Sequence, residues 1–414
     1  MRLASGVYSA ASGEKFTTAT QQVTVPAGVT ILGTYAEDFT SQLRGAAGET
    51  GLQLLGGATI RDLILTGFTR GIHATQGVQK LKGLYFDKNL TALDLEGTAQ
   101  ASLVKGTIFL SPGGAFPQVT GANVVDQAHL TVDGGIITGG AANCKTGITG
   151  VNVREAGVLT AKNGATFKEI AGTAVLVAET AKTTLASQAV VSRDFSQFPA
   201  CAPLPSLVAY EGGSLTLTNA GVYSKGGTNE IGIKAQSQGT VALTHAVLSG
   251  HTLAAVHVLD KQKLVVSGSA FSGNYVGIHA LEAQSVSLSV TGSTVIGNLF
   301  GIVAPSLKLR STQVTANAIG VAITGSQANL GTLASPGNNA LSGNSQTGVE
   351  FFAGPFAVSF STISAAGNFW NAGVQDADGS GQHPEHRLVN GTAGDHSGQN
   401  FKLPDGKSSF KIQL

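Results

Sequence analysis

The sequence predicts an all-β solenoid: a single-stranded right-handed parallel β-helix of roughly 15 coils. Three observations carry this. An eight-residue pattern recurs: an apolar residue, two residues, Asn, two residues, a small residue, then Ile, Val or Leu. Short alternating segments precede many copies and read as strands. The composition, with 56 Gly among 414 residues and 12 % charged residues, suits strands and turns better than helices.

Taken along the chain, the first clear copy is Phe86-Asp-Lys-Asn89-Leu-Thr-Ala92-Leu93. Three more follow in close succession: Phe271 to Ile278 around Asn274, Val295 to Ile302 around Asn298, and Val314 to Val321 around Asn317. A last copy starts Leu341-Ser-Gly-Asn344 and reaches Gly348-Val349 with one extra residue. The closing apolar position serves as an anchor. It runs from Ile72 and Leu93 through Val124, Ile148, Val175 and Val208 to Ile233, Val256, Ile278, Ile302, Val321 and Val349. The mean interval is about 25 residues, a length expected of repeat architectures.

Between anchors lie segments such as Ser214-Leu-Thr-Leu217 and Val286-Ser-Leu-Ser-Val290. Each unit then holds two or three short strands and buries its apolar face only by stacking on its neighbours. At the tight turns, Asn89, Asn274, Asn298, Asn317 and Asn344 read as structural. Asn tolerates a left-handed backbone, and its amide bonds nearby main chain or a stacked amide. The small residue after it permits close approach. The expected organisation is one β-helix over 1–366, with an N-terminal module over 1–50, followed by an irregular C-terminal cap over 367–414.

Composition excludes several function classes. Lys+Arg 25 against Asp+Glu 24 leaves a net charge of +1, with no basic surplus for phosphate contacts, so no nucleic-acid partner is expected. No apolar run is long enough for a transmembrane segment. The two cysteines, Cys144 and Cys201, allow one disulfide or two thiols. Their anchors place them two coils apart, too far for a bridge between equivalent positions, unless the Pro-rich loop around Cys201 folds back.

Residues 2–33 carry Leu3-Ala-Ser-Gly-Val-Tyr8, Gly13-Glu-Lys-Phe16 and Val23-Thr-Val-Pro-Ala-Gly-Val29, ending Ile31-Leu-Gly33. This run resembles the N-terminal module, of unknown function, of bacterial extracytoplasmic β-helix repeat proteins in the pectate-lyase-like superfamily. Gly367-Asn-Phe-Trp-Asn371, with Gln375 and Asp378-Gly379, looks like the closing segment of the same family. The resemblance implies a secreted, periplasmic or cell-surface protein. In the family an earlier strand and an export signal precede the Leu-Ala-x-Gly-x-Tyr run. Here Met1 leads directly into it, so the module is expected to be truncated.

On such a fold, chemistry needs side chains that adjacent coils bring into register. The residue after each anchor points outward and reads His73, Asp94, Lys234, His257, His279, Val303, Ala322 and Glu350. His257 and His279 fall on consecutive coils, each followed three residues on by an acid, Asp260 and Glu282. These four are weak catalytic candidates; the alternative is a polar stack on a solvated face. Asp376, Asp378, His383 and His386 are weak metal candidates, for Ca²⁺ or a transition metal by residue type, although the Glu closing a calcium loop is absent. The alternative for them is a polar tail over the last coil, and no cofactor is required. Trp370 packs in that tail or stacks on a sugar.

The preferred function is a non-catalytic extracytoplasmic or cell-surface β-helix, a monomer, that binds a glycan, an envelope component or a protein. A polysaccharide lyase or hydrolase acting on an acidic polysaccharide is the alternative, since related folds carry such enzymes. An ice-binding β-helix ranks last, because the Thr216/Thr218 pair is not repeated on adjacent coils.

Overall fold

The computed structural model describes residues 1–3, 6–8, 22–36, 39–111, 118–139, 147–197, 202–259, 263–280, 287–332, 334–353, 364–365, 368 and 386–390. Of the residues singled out above, Cys144, Cys201, Asp260, Glu282, Trp370, Asp376, Asp378 and His383 lie outside this set. The chain divides into two compact units, Met1–Thr228 and Asn229–Leu414. Both are built from short strands, and among the described residues no helix is long and apolar enough to cross a membrane.

In the first unit each coil supplies three strands, as in Arg70–Ala74, Val78–Lys82 and Tyr85–Asp87. First strands stack on first strands in parallel, as Arg70–Ala74 does on Thr91–Leu95. Second and third strands do the same. A strand that returns to a parallel partner through such a crossover winds right-handed. One antiparallel pair, Tyr35–Ala36 with Phe39–Arg44, interrupts this regime near the start.

Alternation explains the core. Val78–Lys82 buries every second side chain. First strands bury two neighbours in a row, because a small residue precedes the inward apolar one: Gly71 before Ile72, Ala92 before Leu93. The inward column Leu52, Ile72, Leu93, Ala122, Val151, Val175 and Leu207 is almost wholly excluded from water. Each large aliphatic member contributes about 1.5–3 kcal/mol.

This column corrects three anchors. The position in register with Leu93 is Ala122, not Val124; the next is Val151, not Ile148; and Leu207, not Val208, faces Val175. The cause is the length of the connections. Segments 110–118, 139–147 and 195–206 link third strands to first strands, where 88–90 suffices in a shorter coil. An even mean spacing cannot place a strand that follows an insertion.

In the second unit the column Ile233, Val256, Ile278, Ile302, Val321 and Val349 is in register and buried. The strand His386–Asn390 pairs in parallel with Thr347–Ala353 and lies within 367–414.

The turns hold two buried hydrogen-bond ladders in this unit. Asn274 Nδ2 donates to Asn298 Oδ1, Asn298 to Asn317, and Asn317 to Asn344, each at 3.0 Å. The same oxygens accept the backbone N–H of the preceding rung, for example Asn298 N to Asn317 Oδ1 at 2.9 Å. The parallel ladder uses hydroxyls, Ser269 N to Ser293 Oγ and Ser293 N to Thr312 Oγ1, and passes to an amide where Thr312 N donates to Asn339 Oδ1. The left-handed residue is the one before each Asn, not the Asn itself: Gly273, Gly297 and Gly343, with Ala316 at φ 55°. Beyond the Asn, a Cβ on Gly277 would lie 2.5 Å from the carbonyl oxygen of Gly301 in the next coil, which explains the small residue there.

Candidate functional site

The outward column on the first strands of the first unit reads Gln53, His73, Asp94, Asn123 and Asn152, one residue per coil. The pleat turns these side chains away from the core, since each follows an inward apolar residue. Strand spacing sets them about 4.8 Å apart.

Each group is held by its neighbours. Gln53 Oε1 lies 2.7 Å from His73 Nδ1. An amide oxygen only accepts, so Nδ1 carries the hydrogen and Nε2 is left facing the next coil. There it lies 3.3 Å from Glu96 Oε2. Asp94, 4 % exposed, accepts from Asn123 Nδ2 at 3.0 Å and from Arg70 Nε at 2.9 Å. Asn123 Oδ1 accepts from Asn152 Nδ2 at 2.8 Å, and Asn152 Oδ1 from Arg154 Nε at 3.2 Å. The column then becomes apolar, with Leu176 and Val208 in register with Asn152. His73, Asp94 and Glu96 each offer one ligand atom, all within 4.8 Å of one another.

A row of acids runs along the adjoining turn. Asp126 Oδ2 accepts from Gly97 N, Glu155 Oε2 from Asp126 N, and Glu179 Oε2 from Glu155 N. Each carboxylate thus caps an orphan N–H of the coil before it. The Gly97 N–H holds the Asp126 carboxyl below its ordinary range, while a side-chain hydrogen bond with Asp126 raises Glu155. The row is negative, with Asp126 and Glu155 exposed and Glu179 half-buried.

The second unit fills the same outward position differently: Lys234, His257, His279, Val303, Ala322 and Glu350. The rings of His257 and His279 stand 4.8 Å apart, tilted by 38°. Burial, and secondarily the charge of His257, pushes the His279 pKa down to about 4. Lys234 on one side and Val303 on the other supply no carboxylate. The backbone of His386 opens the strand His386–Asn390.

Reasoning from sequence had placed His73 and Asp94 in the outward column but missed Gln53, Asn123, Asn152 and Glu96. The misplaced anchors hid the two asparagines. A usable signal existed in Gly121-Ala-Asn-Val124 and Gly150-Val-Asn-Val153, which repeat one motif on consecutive coils. The structure also aligns Thr131, Thr160, Thr184 and Thr216 in one outward row of the second strands, so Thr216 does have counterparts on adjacent coils. Rows beside it hold Asp133 with Lys162 and His129 with Val158, so the Thr array is one residue wide.

No protein-family model matches the chain. No curated protein matches it. Among solved structures, a chain of the Vag8–C1 inhibitor complex is similar over 84 % of this chain and 88 % of its own, at 14 % identity and a TM-score of 0.48. Tailspike protein 3 of bacteriophage CBA120 is similar over 95 % of this chain and 57 % of its own, at 15 % identity and a TM-score of 0.35. The tailspike of E. coli bacteriophage HK620, solved with a hexasaccharide, is similar over 84 % and 71 %, at 8 % identity and a TM-score of 0.35. The chain is, by its own strand register, a right-handed parallel β-helix.

Proposed function

We propose that this protein is a non-catalytic, extracytoplasmic binding protein that holds a neutral glycan along the Gln53–Asn152 column. One observation carries the reading: five polar side chains stand in register on consecutive coils, with hydrogen bonds joining Gln53 to His73 and running from Asp94 through Asn123 to Asn152. Such a row is pre-organised, so little side-chain freedom is lost on binding. Sugar hydroxyls both donate and accept, and so does this column, through amides, a carboxylate and two Arg side chains. Arg70 and Arg154 balance Asp94 and Glu96, and the acidic turn row beside them repels a polyanion. That favours a neutral chain over a uronan.

Glycan-array binding followed by titration calorimetry tests this. An Asn123→Ala/Asn152→Ala variant should bind at least about tenfold more weakly. Equal binding by the variant, or no binding to any neutral glycan, overturns the reading.

A second reading is polysaccharide cleavage, favoured by the close approach of His73, Asp94 and Glu96, which could share acid and base roles. New reducing ends from a glycan panel, abolished by Glu96→Gln, would establish it.

A further inference from the structure

The geometry points to a transition-metal site at His73, Asp94 and Glu96, suited to Zn²⁺ or Co²⁺. The argument starts from one nitrogen. His73 Nδ1 is engaged with Gln53 Oε1, so Nε2 is the ring nitrogen turned toward the carboxylates of the neighbouring coil. That is the orientation of a ligating imidazole, whose second ring nitrogen usually donates to a carbonyl or carboxylate. The ring is nearly buried, with a side-chain exposure of 12 %.

Distance is the second step. Nε2 and Glu96 Oε2 are 3.3 Å apart. Two ligands on a tetrahedral ion with bonds of about 2.0–2.1 Å stand about 3.3–3.4 Å apart. These two atoms already span one edge of such a site. Asp94 completes a three-residue set within 4.8 Å, and its carboxylate must move inward, away from Arg70, for all three to share one ion.

Support comes from the flanks. Asn123 fixes Asp94 from the following coil at 3.0 Å. Gln53 fixes His73 from the preceding coil. The site is therefore built across four consecutive coils, with His73 and Asp94 on strands and Glu96 directly after the strand Thr91–Leu95. A nitrogen with two carboxylate oxygens selects a transition metal over Ca²⁺ or Mg²⁺, which prefer oxygen alone. Three protein ligands leave a fourth position open to water or to a sugar hydroxyl. Arg70, 2.9 Å from Asp94, opposes the cation, so its removal should tighten binding.

The inference does not depend on glycan binding. Glu96 lies outside the Gln53–Asn152 column, so Glu96→Gln can abolish metal binding while sparing glycan binding. The test titrates the full chain with Co²⁺ at pH 7.5 by visible absorption, and with Zn²⁺ by calorimetry. A His383→Ala/His386→Ala/His396→Ala background removes the C-terminal histidines. One equivalent should bind with a dissociation constant below about 100 µM. His73→Ala and Glu96→Gln should each weaken binding at least tenfold and change the Co²⁺ spectrum, with circular dichroism unchanged. Arg70→Ala should strengthen binding severalfold. Unaltered affinity and spectrum in His73→Ala, or no Co²⁺ bound at 100 µM in the background variant, overturns the proposal.

Discussion

The two units set different chemistry on the same structural position. In the first, the outward column is complementary: amide, imidazole, carboxylate, amide, amide, with guanidinium groups at its flanks. In the second, Lys234 and two stacked imidazoles are followed by Val303 and Ala322. The scaffold is indifferent to this choice, since inward columns in both units are apolar and buried. What differs is how polar groups are satisfied. The first unit links side chains from coil to coil on its outer face, while its Asn89 makes only main-chain bonds in the turn. The second links side chains from coil to coil inside its turns, on Asn and hydroxyl ladders. A β-helix can thus separate the bonds that hold coils together from those left available to a ligand.

Substitutions can break this comparison, beginning with the strongest. Asn298→Ala removes an amide that accepts from both Asn274 nitrogens and donates to Phe271 O and Asn317 Oδ1. The loss should be about 3 kcal/mol, seen as a lower urea midpoint or faster amide exchange in the second unit. Asn89→Ala, in the first unit, severs only the bonds to Phe68 N and Leu65 O and should cost about half as much. Equal losses would show that stacking adds nothing to the single turn bond.

The pH response should also separate the units. His279 stays neutral in the folded protein down to about pH 4, whereas an unfolded His protonates near 6.5. Between these values the unfolded chain binds the extra proton. Stability from this ring is therefore complete above about pH 6.5, falls as pH drops toward 4, and levels off below. Urea midpoints at pH 7.5 and 5 should differ less in His279→Gln than in the parent. An identical pH dependence in both proteins would dismiss the imidazole stack as a source.

Smaller effects remain. Asp94→Ala strands Asn123 Nδ2 but frees Arg70 to solvent, for a loss of about 1–2 kcal/mol in the thermal midpoint of the first unit. Thr184→Val, in the outward Thr row, should change stability by less than about 0.5 kcal/mol.

How much of this could be read from sequence depended on local regularity. Where coils are short, as from Ile233 to Val321, the apolar anchors land in register, and His257 and His279 follow from them. Where insertions lengthen the coil, a count in residues no longer measures position along the stack. Val124 then stood in for Ala122, and the outward-facing Asn123 was passed over. Contacts set by side-chain reach, such as His73 with Glu96, belong to no repeat and left no trace in the spacing. The Thr row was hidden differently, because each Thr sits inside an ordinary alternating strand.

The Asn ladder has a direction. Each amide from Asn274 to Asn317 hands a hydrogen to its C-terminal neighbour, and each from Asn298 to Asn344 takes one from the N-terminal side, so a single rule joins the rungs between the ends. Such a rule is blind to length. Duplicating a whole coil between Asn298 and Asn317 would leave no amide without its donor and acceptor, and the same holds for deleting one. Growth or shrinkage by complete turns is thereby a neutral step for the turn, while a change of a few residues within a strand is not.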